Sequence, residues 1–365
     1  MELKNTLRHL FVLILALTSF SGCDSIRNFA VERLQSAVPM PTFEPEEEET
    51  SQEKTSHPIP VIWDDDGSPD GVIALLYLLA HPGYEVTAAT ISSGEAHPGI
   101  FAEKLAALFL ELGVEHIPVG PGSDTPLEGN NAFPDPWRVA TDEFWWIELP
   151  KITTSGFTMA DDLIIDVVNQ AFDRGLIFVS GTHTNLALAL RKEPRIGRKI
   201  DAVHIMGGAL RVPGNIASDW PDNPNKVSEW NIWVDPIAAH EVFASGLVLS
   251  LTPLDATNHV VWTRSDADTW RASGTREGEI AADVLDWMLD SWFPEGVYVW
   301  DLVTAVNMTN PELCEHEDLA IDILTVQSEI EGQSVIVDGA EPNVSVCIFP
   351  DSDQMKSMVA AAFSK

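Results

Sequence analysis

The feature that most constrains this fold is the regular alternation of apolar runs and amphipathic segments after Pro58. Apolar runs such as Tyr84–Ile91 and Leu176–Ser180 predict strands, whereas residues 98–112 and 160–174 have the spacing typical of helices. Short connections marked by glycine separate the elements, which indicates parallel strands joined by right-handed helical crossovers. We therefore expect an α/β protein with an open, mostly parallel central sheet flanked by helices and its site at the C-terminal strand ends.

The rest of the chain continues this pattern except for a predicted pair of strands near the C-terminus and one long irregular segment. Residues 247–251 predict another strand, and residues 354–363 predict a terminal helix. Residues 334–337 and 344–348 predict a hairpin or a pair of edge strands. Residues 121–158 are rich in Pro, Gly, Asn and Trp and show neither period. A segment of this length in a compact domain is typical of a functional lid or an insertion.

The first residues have the features of an export signal. Lys4 and Arg8 precede the apolar run Leu10–Leu17, which is too short for a comfortable membrane span. Small residues stand directly before Cys23, a pattern that resembles a bacterial lipoprotein signal. The resemblance implies a signal peptide over residues 1–22, lipidation of Cys23 and an exported protein, lipid-anchored in the bacterial cell envelope. The alternatives are an ordinary secretory signal with an incidental cysteine, or an uncleaved anchor.

Composition separates a tether from a folded domain. Residues 23–57 contain prolines, the acidic run Glu46–Glu49 and few large apolar side chains, a composition typical of disordered segments. We expect an acidic, disordered tether over these residues. Residues 58–365 are predicted to form a single domain, which is long enough to bury a core.

Charge and cysteine content limit the partners and the cross-links. Lys and Arg number 21 against 56 Asp and Glu, a formal net charge of −35 at pH 7. Nucleic acids and anionic lipids both attract basic surfaces, so we expect no nucleic-acid partner and no membrane contact except through the lipid anchor. Besides Cys23 the chain contains Cys314 and Cys347. Export permits a disulfide between them, whereas two buried thiols fit their apolar surroundings equally well.

A dense group of carboxylates lies between the first predicted strand and the first predicted helix, in the sequence Asp64-Asp65-Asp66-Gly67-Ser68-Pro69-Asp70-Gly71. In an open α/β sheet this position is a C-terminal strand end, where ligands bind. Carboxylates gathered there repel one another unless a cation or a proton offsets their charge, and hard oxygen ligands suit Ca²⁺ or Mg²⁺. The alternative is a solvated turn, since Asp and Gly are common turn residues.

Other polar residues directly follow later predicted strands or open later predicted helices. Each cluster alone is weak, but we expect all of them at the same edge of the sheet. They are Glu95, Ser180–Asn185, Met206–Gly208, Asn215, Glu229–Asn231, Asp255–Asn258 and Trp300–Asp301.

In their order along the chain, these motifs resemble the inosine–uridine-preferring nucleoside hydrolase family over about Pro58 to Phe363. The acidic loop is similar to that family's opening Asp-Thr-Asp-x-Gly-x-Asp-Asp, and Gly181–Asn185 to its Gly-x-x-Thr-Asn turn. The Met-Gly-Gly, Gly-Asn, Glu-Phe-Asn-x-x-x-Asp-Pro and Leu-Asp-x-Thr motifs are similar to residues 206–208, 214–215, 229–236 and 254–257. The late His-Asp pair of the family is similar to Trp300-Asp301.

The resemblance implies hydrolysis of the N-glycosidic bond of a ribonucleoside, with Ca²⁺ in the site and the nucleoside as the small-molecule partner. Asp66 would be a calcium ligand and the base that takes a proton from the attacking water. The Ser180 main-chain carbonyl and the Asp301 carboxylate would be further calcium ligands. Residues implied to bind the ribose are Asp70 at the 2′-hydroxyl, Met206 against the sugar, and Asn215, Glu229 and Asn231 at the 5′- and 3′-hydroxyls. Because family members are often dimers or tetramers, a homo-oligomer is a further expectation.

This sequence departs from the family pattern at positions that matter for activity. Gly71 stands where the family has a second aspartate that ligates calcium, while Asp65 is an additional carboxylate. Glu95 replaces a usual asparagine and Trp300 replaces the histidine associated with leaving-group protonation; we expect both in the substrate site. Loss of a ligand carboxylate weakens a calcium site. The alternatives are therefore a surface protein that binds nucleosides or related ribosides with impaired catalysis, a scaffold, or a hydrolase of another riboside.

Structural roles are expected for several other polar residues. Asp235 and Asp255 are predicted to be helix or turn caps, because Asp is common at caps. His97, His183 and His259 are predicted to be ordinary turn or packing residues. The tryptophans either pack in the core or a lid, or stack on a nucleobase with their flat apolar faces.

Overall fold

The computed structural model describes residues 57–153, 156–171 and 174–364, and all of these belong to one compact unit. The predicted signal peptide, Cys23 and the predicted tether before His57 lie outside the described residues. Within the described ranges, no helix combines the length and the apolarity that a membrane crossing requires.

The strands define a large central sheet and two small ribbons. They are β1 (Ile59–Asp65), β2 (Tyr84–Ile91), β3 (Val119–Pro121), β4 (Gly175–Val179), β5 (Ile200–Met206), β6 (Leu249–Thr252), β7 (Val261–Trp262), β8 (Val297–Tyr298), β9 (Cys314–Leu319), β10 (Ile321–Ile323), β11 (Ser334–Ile336) and β12 (Val344–Pro350). The 8-stranded sheet has the order β3-β2-β1-β4-β5-β6-β12-β9, and only the pair of β12 and β9 is antiparallel. This sheet confirms the predicted open, mostly parallel α/β architecture.

The helices follow the strands in the order expected of crossovers. They are α1 (Pro69–Ala80), α2 (Pro98–Leu112), α3 (Asp135–Asp142), α4 (Ala160–Ala171), α5 (Thr184–Lys192), α6 (Ile216–Asp219), α7 (Trp230–Val234), α8 (Pro236–Phe243), α9 (Leu254–Thr257), α10 (Arg264–Arg271), α11 (Arg276–Ser291), α12 (Trp300–Thr309) and α13 (Ser352–Phe363). Short 3₁₀ turns occupy residues 144–146, 194–198 and 311–313. At the start of α1, the Ser68 hydroxyl accepts a hydrogen bond from the Gly71 amide, and Pro69 suits the first turn with its fixed φ.

Helices cover both faces of the sheet, and β1 shows why its sequence is apolar throughout. Trp63 belongs to a core cluster formed with α1, α2, α11 and α12, whereas its neighbour Ile62 belongs to a second cluster formed with α4, α5 and α8. Both side chains are fully buried. Successive strand residues point to opposite faces, so a strand covered on both sides has to be apolar at every position.

The predicted hairpin near the C-terminus is wrong. β11 pairs with β10 instead of with β12, and β12 lies inside the main sheet, parallel to β6 and antiparallel to β9. The reason is burial on both faces. Val346 packs into the core cluster on one side and Cys347 into the cluster on the other, and neither is exposed to solvent. A strand of this kind gains more from a central position than an edge position would give.

Cys314 and Cys347 form a disulfide, which the sequence left open. The bond joins β9 to β12, and the two Cα atoms lie 5.7 Å apart. This separation is ordinary for a disulfide. The cross-link therefore fastens the outermost strand of the sheet to its neighbour.

Candidate active site

The C-terminal ends of β1, β4 and β5 meet at a cavity of about 520 Å³, a volume typical of small-molecule sites. All the residues that the sequence predicted for catalysis, metal binding or substrate binding line this cavity. They are Asp66, Asp70, Glu95, Ser180, Met206, Asn215, Glu229, Asn231, Trp300 and Asp301. Their chemical roles stay predictions, but residues up to 235 positions apart (from Asp66 to Asp301) share one site.

Asp66, Asp70, Asp301 and the Ser180 carbonyl form a group that we call the acidic floor. Asp66 follows β1 directly, and its Oδ2 accepts a hydrogen bond of 3.0 Å from the Glu95 amide. Burial, with a smaller effect from the charges of Asp70 and Glu229, raises the pKa of Asp66 to about 7. The cation-free floor therefore holds protons that an isolated aspartate would release.

Neighbouring loops approach Asp66 closely because two glycines lack side chains. A Cβ atom at Gly94 would lie 2.6 Å from Asp66 Cγ, and one at Gly181 would lie 2.5 Å from the Asp66 amide nitrogen. Real Cβ atoms do not approach other heavy atoms this closely. The loops after β2 and β4 can therefore enclose Asp66 only with glycine at these positions.

Asp70 and Asp301 lie at the first turns of α1 and α12. Asp70 Oδ2 accepts a hydrogen bond of 3.2 Å from the Asp301 amide, and the Ser68 hydroxyl donates one of 3.0 Å to Asp301 Oδ2. Helix N-termini carry partial positive charge, which favours carboxylates there. Burial nevertheless raises the pKa of Asp70 to about 6 and that of Asp301 well above its usual range. These carboxylates therefore keep their protons to a higher pH than isolated aspartates do, unless a cation offsets their charge.

Glu229 and Asn231 fix the backbone beside the floor. Glu229 caps α7, since its carboxylate accepts hydrogen bonds from the Asn231, Ile232 and Gly208 amides at 2.9, 3.3 and 3.0 Å. Asn231 Nδ2 donates to the Ser180 carbonyl at 3.1 Å, the oxygen predicted to ligate calcium. Asn215 accepts a hydrogen bond from the Trp230 amide at 3.2 Å. Polar residues that are spread along the sequence therefore form a hydrogen-bonded frame in space.

The cavity is also lined by aromatic side chains that we call the aromatic wall, which are Phe133, Trp137, Trp230, Trp287, Trp292, Phe293 and Trp300. Phe133 stacks on Trp230 with ring centroids 4.3 Å apart. Trp300 Nε1 donates a hydrogen bond of 2.9 Å to Asn258 Oδ1, which orients its ring. Flat apolar surfaces of this kind suit an aromatic ring on a ligand.

Sequence reasoning missed part of this wall. Phe133, Trp287, Trp292 and Phe293 follow no predicted strand, so the strand-end rule could not find them. A usable signal was present in Trp292-Phe293, an apolar pair directly after a helix that leaves Phe293 69% exposed. Exposed large apolar pairs often mark binding surfaces. Asp219 also lines the cavity, where it accepts a hydrogen bond from Trp230 Nε1.

The tryptophan-rich segment contributes α3 to the cavity through Trp137 and Thr141. Buried Arg138 donates to the Ala96 carbonyl at 3.0 Å, and Asp142 accepts a hydrogen bond of 3.0 Å from the His97 amide. The His97 ring lies 2.7 Å from Asp142 as well, so this histidine has a partner that its sequence context did not indicate. These contacts fasten α3 to the loop that carries Glu95.

Asp235, Asp255 and two histidines have the structural surroundings predicted for them. Asp235 caps α8 and also accepts a hydrogen bond from the Thr184 hydroxyl. Asp255 accepts hydrogen bonds from the Leu210 and Arg211 amides. His183 is fully buried, and this burial lowers its pKa to about 4. His259 packs near Phe349, with ring centroids 5.2 Å apart.

The site contains the oxygen ligands that Ca²⁺ prefers. Asp66, Asp301 and the Ser180 carbonyl are hard donors from three elements, and the glycines around Asp66 provide the close approach that a shared ligand needs. Among the described residues, no group of three or more His, Cys, Asp and Glu side chains is arranged to hold a metal ion. The predicted set is smaller than such a group, because it contains only two such side chains, Asp66 and Asp301, besides the main-chain carbonyl, and its fit to Ca²⁺ rests on the chemistry of these oxygen donors.

Fold and site together define an α/β protein with a polar and aromatic small-molecule site at its strand ends. The chain matches the family described as inosine-uridine preferring nucleoside hydrolase over residues 61–357, and it belongs to that family.

Its relatives are ribonucleoside hydrolases. The chain is 28% identical over 315 residues to the pyrimidine-specific ribonucleoside hydrolase RihA of Citrobacter koseri, which covers 83% of this chain and 97% of that protein. It superimposes on the purine-preferring ribonucleoside hydrolase from Gardnerella vaginalis with a TM-score of 0.74, at 22% identity over 84% of this chain and 98% of that one. The plant nucleoside hydrolase PpNRh1 gives a TM-score of 0.73, at 24% identity over 84% and 99% of the two chains. The two structures have the same fold as this chain.

Proposed function

We propose that this protein hydrolyses the N-glycosidic bond of ribonucleosides to ribose and free base, with Ca²⁺ as its cofactor. The observation that carries the proposal is that buried carboxylates and an aromatic wall line one cavity. Such a cavity offers polar contacts for a ribose and flat contacts for a base. The family and its ribonucleoside hydrolases support the same activity.

The floor residues have distinct tasks in this reaction. Bound Ca²⁺ would lower the pKa of a water molecule and hold it together with ribose hydroxyls. Asp66 accepts the proton of the attacking water, for which a carboxylate on the cavity wall is suited. Asp70 binds the ribose 2′-hydroxyl. The negative charge of the floor stabilises the sugar as it becomes positively charged in the transition state.

The ribose and the base are held by different parts of the cavity. Asn215, Glu229 and Asn231 bind the ribose 5′- and 3′-hydroxyls, and Met206 packs against the sugar. These contacts favour a ribose over a sugar that lacks one of the hydroxyls, because the missing hydroxyl would leave a buried polar group without its partner. Trp230 and Trp300 stack on the base, and stacking on a purine raises the basicity of the base, which favours its protonation as it leaves.

A panel of nucleosides tests the activity directly. The purified full chain is incubated with inosine, guanosine, adenosine, uridine and cytidine, each with excess Ca²⁺ and with excess EDTA, and free ribose is measured. We expect ribose from at least one nucleoside, only when Ca²⁺ is present, and none from Asp66→Asn. The surface variant Asp338→Asn removes one exposed carboxylate and serves as the matched control. Equal ribose release in Ca²⁺ and EDTA would contradict the calcium dependence.

A second candidate is a nucleoside-binding surface protein with impaired catalysis. Among the described residues, no histidine lines the cavity, so the aromatic wall lacks the usual nitrogen acid for a leaving base. This candidate predicts that calorimetry detects nucleoside binding while no member of the panel yields ribose. Ribose release at multiple turnovers would eliminate it.

We also propose that Cys23 is lipidated and anchors the protein in the bacterial cell envelope. The Cys314–Cys347 disulfide supports export, because such bonds persist in oxidising compartments. Mass spectrometry of the mature N-terminus should find a diacylglyceryl cysteine, and Cys23→Ser should move the protein from the membrane fraction to the soluble one. An unmodified N-terminus elsewhere in the chain would contradict the anchor.

A further inference from the structure

Positions 65 and 71 of the acidic loop share one space. The Asp65 side chain is fully buried, and a Cβ atom at Gly71 would lie 2.6 Å from Asp65 Oδ1 and closer still to its other carboxylate atoms. No side chain at position 71 can therefore coexist with the carboxylate of Asp65 in this conformation. The helical φ angle of Gly71 is one that any residue can adopt, so the backbone does not require glycine there. The requirement for glycine comes from the side chain of Asp65.

Asp65 also holds together the loops that carry the floor. Its Oδ1 accepts hydrogen bonds from the Gly67 and Ser68 amides at 2.7 and 3.2 Å, and its Oδ2 accepts the Ser180 hydroxyl at 2.6 Å. Ser68 in turn donates to Asp301. One carboxylate thus connects the turn after Asp66, the residue whose carbonyl is a predicted calcium ligand, and the start of α12.

Asp65 lies behind the floor although it does not line the cavity. It accepts a hydrogen bond from the hydroxyl of Ser180, whose carbonyl is a predicted ligand, and one from the amide of Ser68, whose hydroxyl donates to Asp301. A negative charge directly behind the ligands strengthens their hold on a cation.

We propose that Asp65 is a positioning residue that replaces, in both volume and charge, a side chain at position 71. The carboxylate has moved from the first turn of α1 to the end of β1, where it orients Ser180 and the acidic loop instead of facing the ligand. The charge part of this inference rests on the calcium dependence proposed above, whereas the shared space does not.

Two matched sets of variants test the two parts. The first set is Asp65→Ala, Gly71→Asp and the double variant, compared by thermal unfolding of the full chain in EDTA. The second set is Asp65→Asn, which keeps the volume and removes the charge, with Asp338→Asn as the control for net charge. Calcium binding of every variant is measured by calorimetry, and ribose release by the parent protein is recorded beside it.

We expect Gly71→Asp alone to be strongly destabilised and the double variant to unfold at a higher temperature than Gly71→Asp, because removal of Asp65 frees the space. Asp65→Asn should weaken calcium binding by about tenfold or more, the usual effect of losing a partner behind a metal ligand. The double variant should bind calcium more tightly than Asp65→Ala, since it restores a carboxylate.

The outcomes separate this inference from the proposed function. Additive changes in unfolding temperature would overturn the shared space. Parental calcium affinity in Asp65→Asn would overturn the charge role while the hydrolase function stands. A parent protein that binds no calcium would overturn the calcium dependence and the charge role together. The unfolding temperatures in EDTA would then still decide whether side chains at positions 65 and 71 compete for one space.

Discussion

The acidic floor and the aromatic wall of the cavity are built in different ways. The floor residues Asp66, Asp70 and Asp301 are at most 4% exposed, and each accepts a hydrogen bond from the loop after β2 or from a helix start. The wall contains side chains from separate segments, and Trp137 and Phe293 are 37% and 69% exposed. A fixed floor suits the ribose, which all nucleosides share, while a partly exposed wall can change with the base. The difference assigns chemistry to the floor and base preference to the wall.

Asp66→Asn should produce the largest effect and should act on all nucleosides alike. The variant removes the proton acceptor and a predicted ligand, so kcat/KM should fall by about 10²- to 10⁴-fold. The fall should be the same factor for every nucleoside that the parent cleaves, because the floor contacts only the shared sugar. Steady-state kinetics on two nucleosides measures this. A loss confined to one base would break the division between floor and wall.

Trp300→Ala should produce a smaller and base-dependent effect. Loss of one stacking surface costs about 1–3 kcal/mol, or roughly 5- to 150-fold in kcat/KM. The loss should be larger for inosine than for uridine, since a purine covers more of the ring. Trp300→Phe keeps a flat face and should lose less. Turnover of inosine unchanged in Trp300→Ala would remove Trp300 from the wall's function.

The pH dependence of stability should follow the floor. In the cation-free protein Asp66 and Glu229 have pKa values of about 7, against 3.8 and 4.5 for the free side chains. The folded state therefore binds more protons than the unfolded state between about pH 4 and 7, so the free energy of unfolding contributed by these groups falls as pH rises through that window. Thermal unfolding in EDTA should show this fall, and added Ca²⁺ should stabilise the protein more at pH 8 than at pH 5. A calcium effect that is larger at pH 5 would contradict the charged floor.

Removal of the disulfide should change stability and leave the cavity chemistry almost unchanged. The bond joins residues 33 positions apart, and a disulfide that closes a loop of this size stabilises the folded protein by about 3–4 kcal/mol. Cys314→Ser/Cys347→Ser should unfold at a lower temperature, with kcat/KM within about twofold of the parent at a temperature where both are folded. Loss of activity without loss of folding would show that the sheet edge and the floor are coupled.

The floor could be predicted from sequence because short-range rules determine it. Strand, acidic turn and capped helix are adjacent in Ile59–Ala80, and parallel strands bring their C-terminal ends to one edge, so Asp66 and Ser180 could be placed together before their contacts were known. Asp301 was placed with them by the resemblance of Trp300-Asp301 to the late His-Asp pair of the family. The contact between Asp65 and Gly71 was out of reach, since whether one side chain fills the space beside another depends on rotamers that no pattern encodes.

The wall and the far edge of the sheet could not be predicted because they depend on distant packing. Phe133 and Trp292 reach the cavity from segments that follow no strand. The two short apolar runs near the C-terminus satisfied the rules for a hairpin, but β12 is buried on both faces and pairs with β6, nearly a hundred residues earlier. Local propensity cannot distinguish these pairings when both partners are short.

Calcium titration of the EDTA-treated full chain, with and without ribose, tests the central claim that one buried floor binds a cation and the sugar together. We expect one calcium site per chain and a calcium affinity that rises when ribose is present, because two ligands that contact each other in one site favour each other's binding reciprocally. Asp66→Asn should abolish both effects. Calcium binding that is absent, or that is the same with and without ribose, would contradict the account.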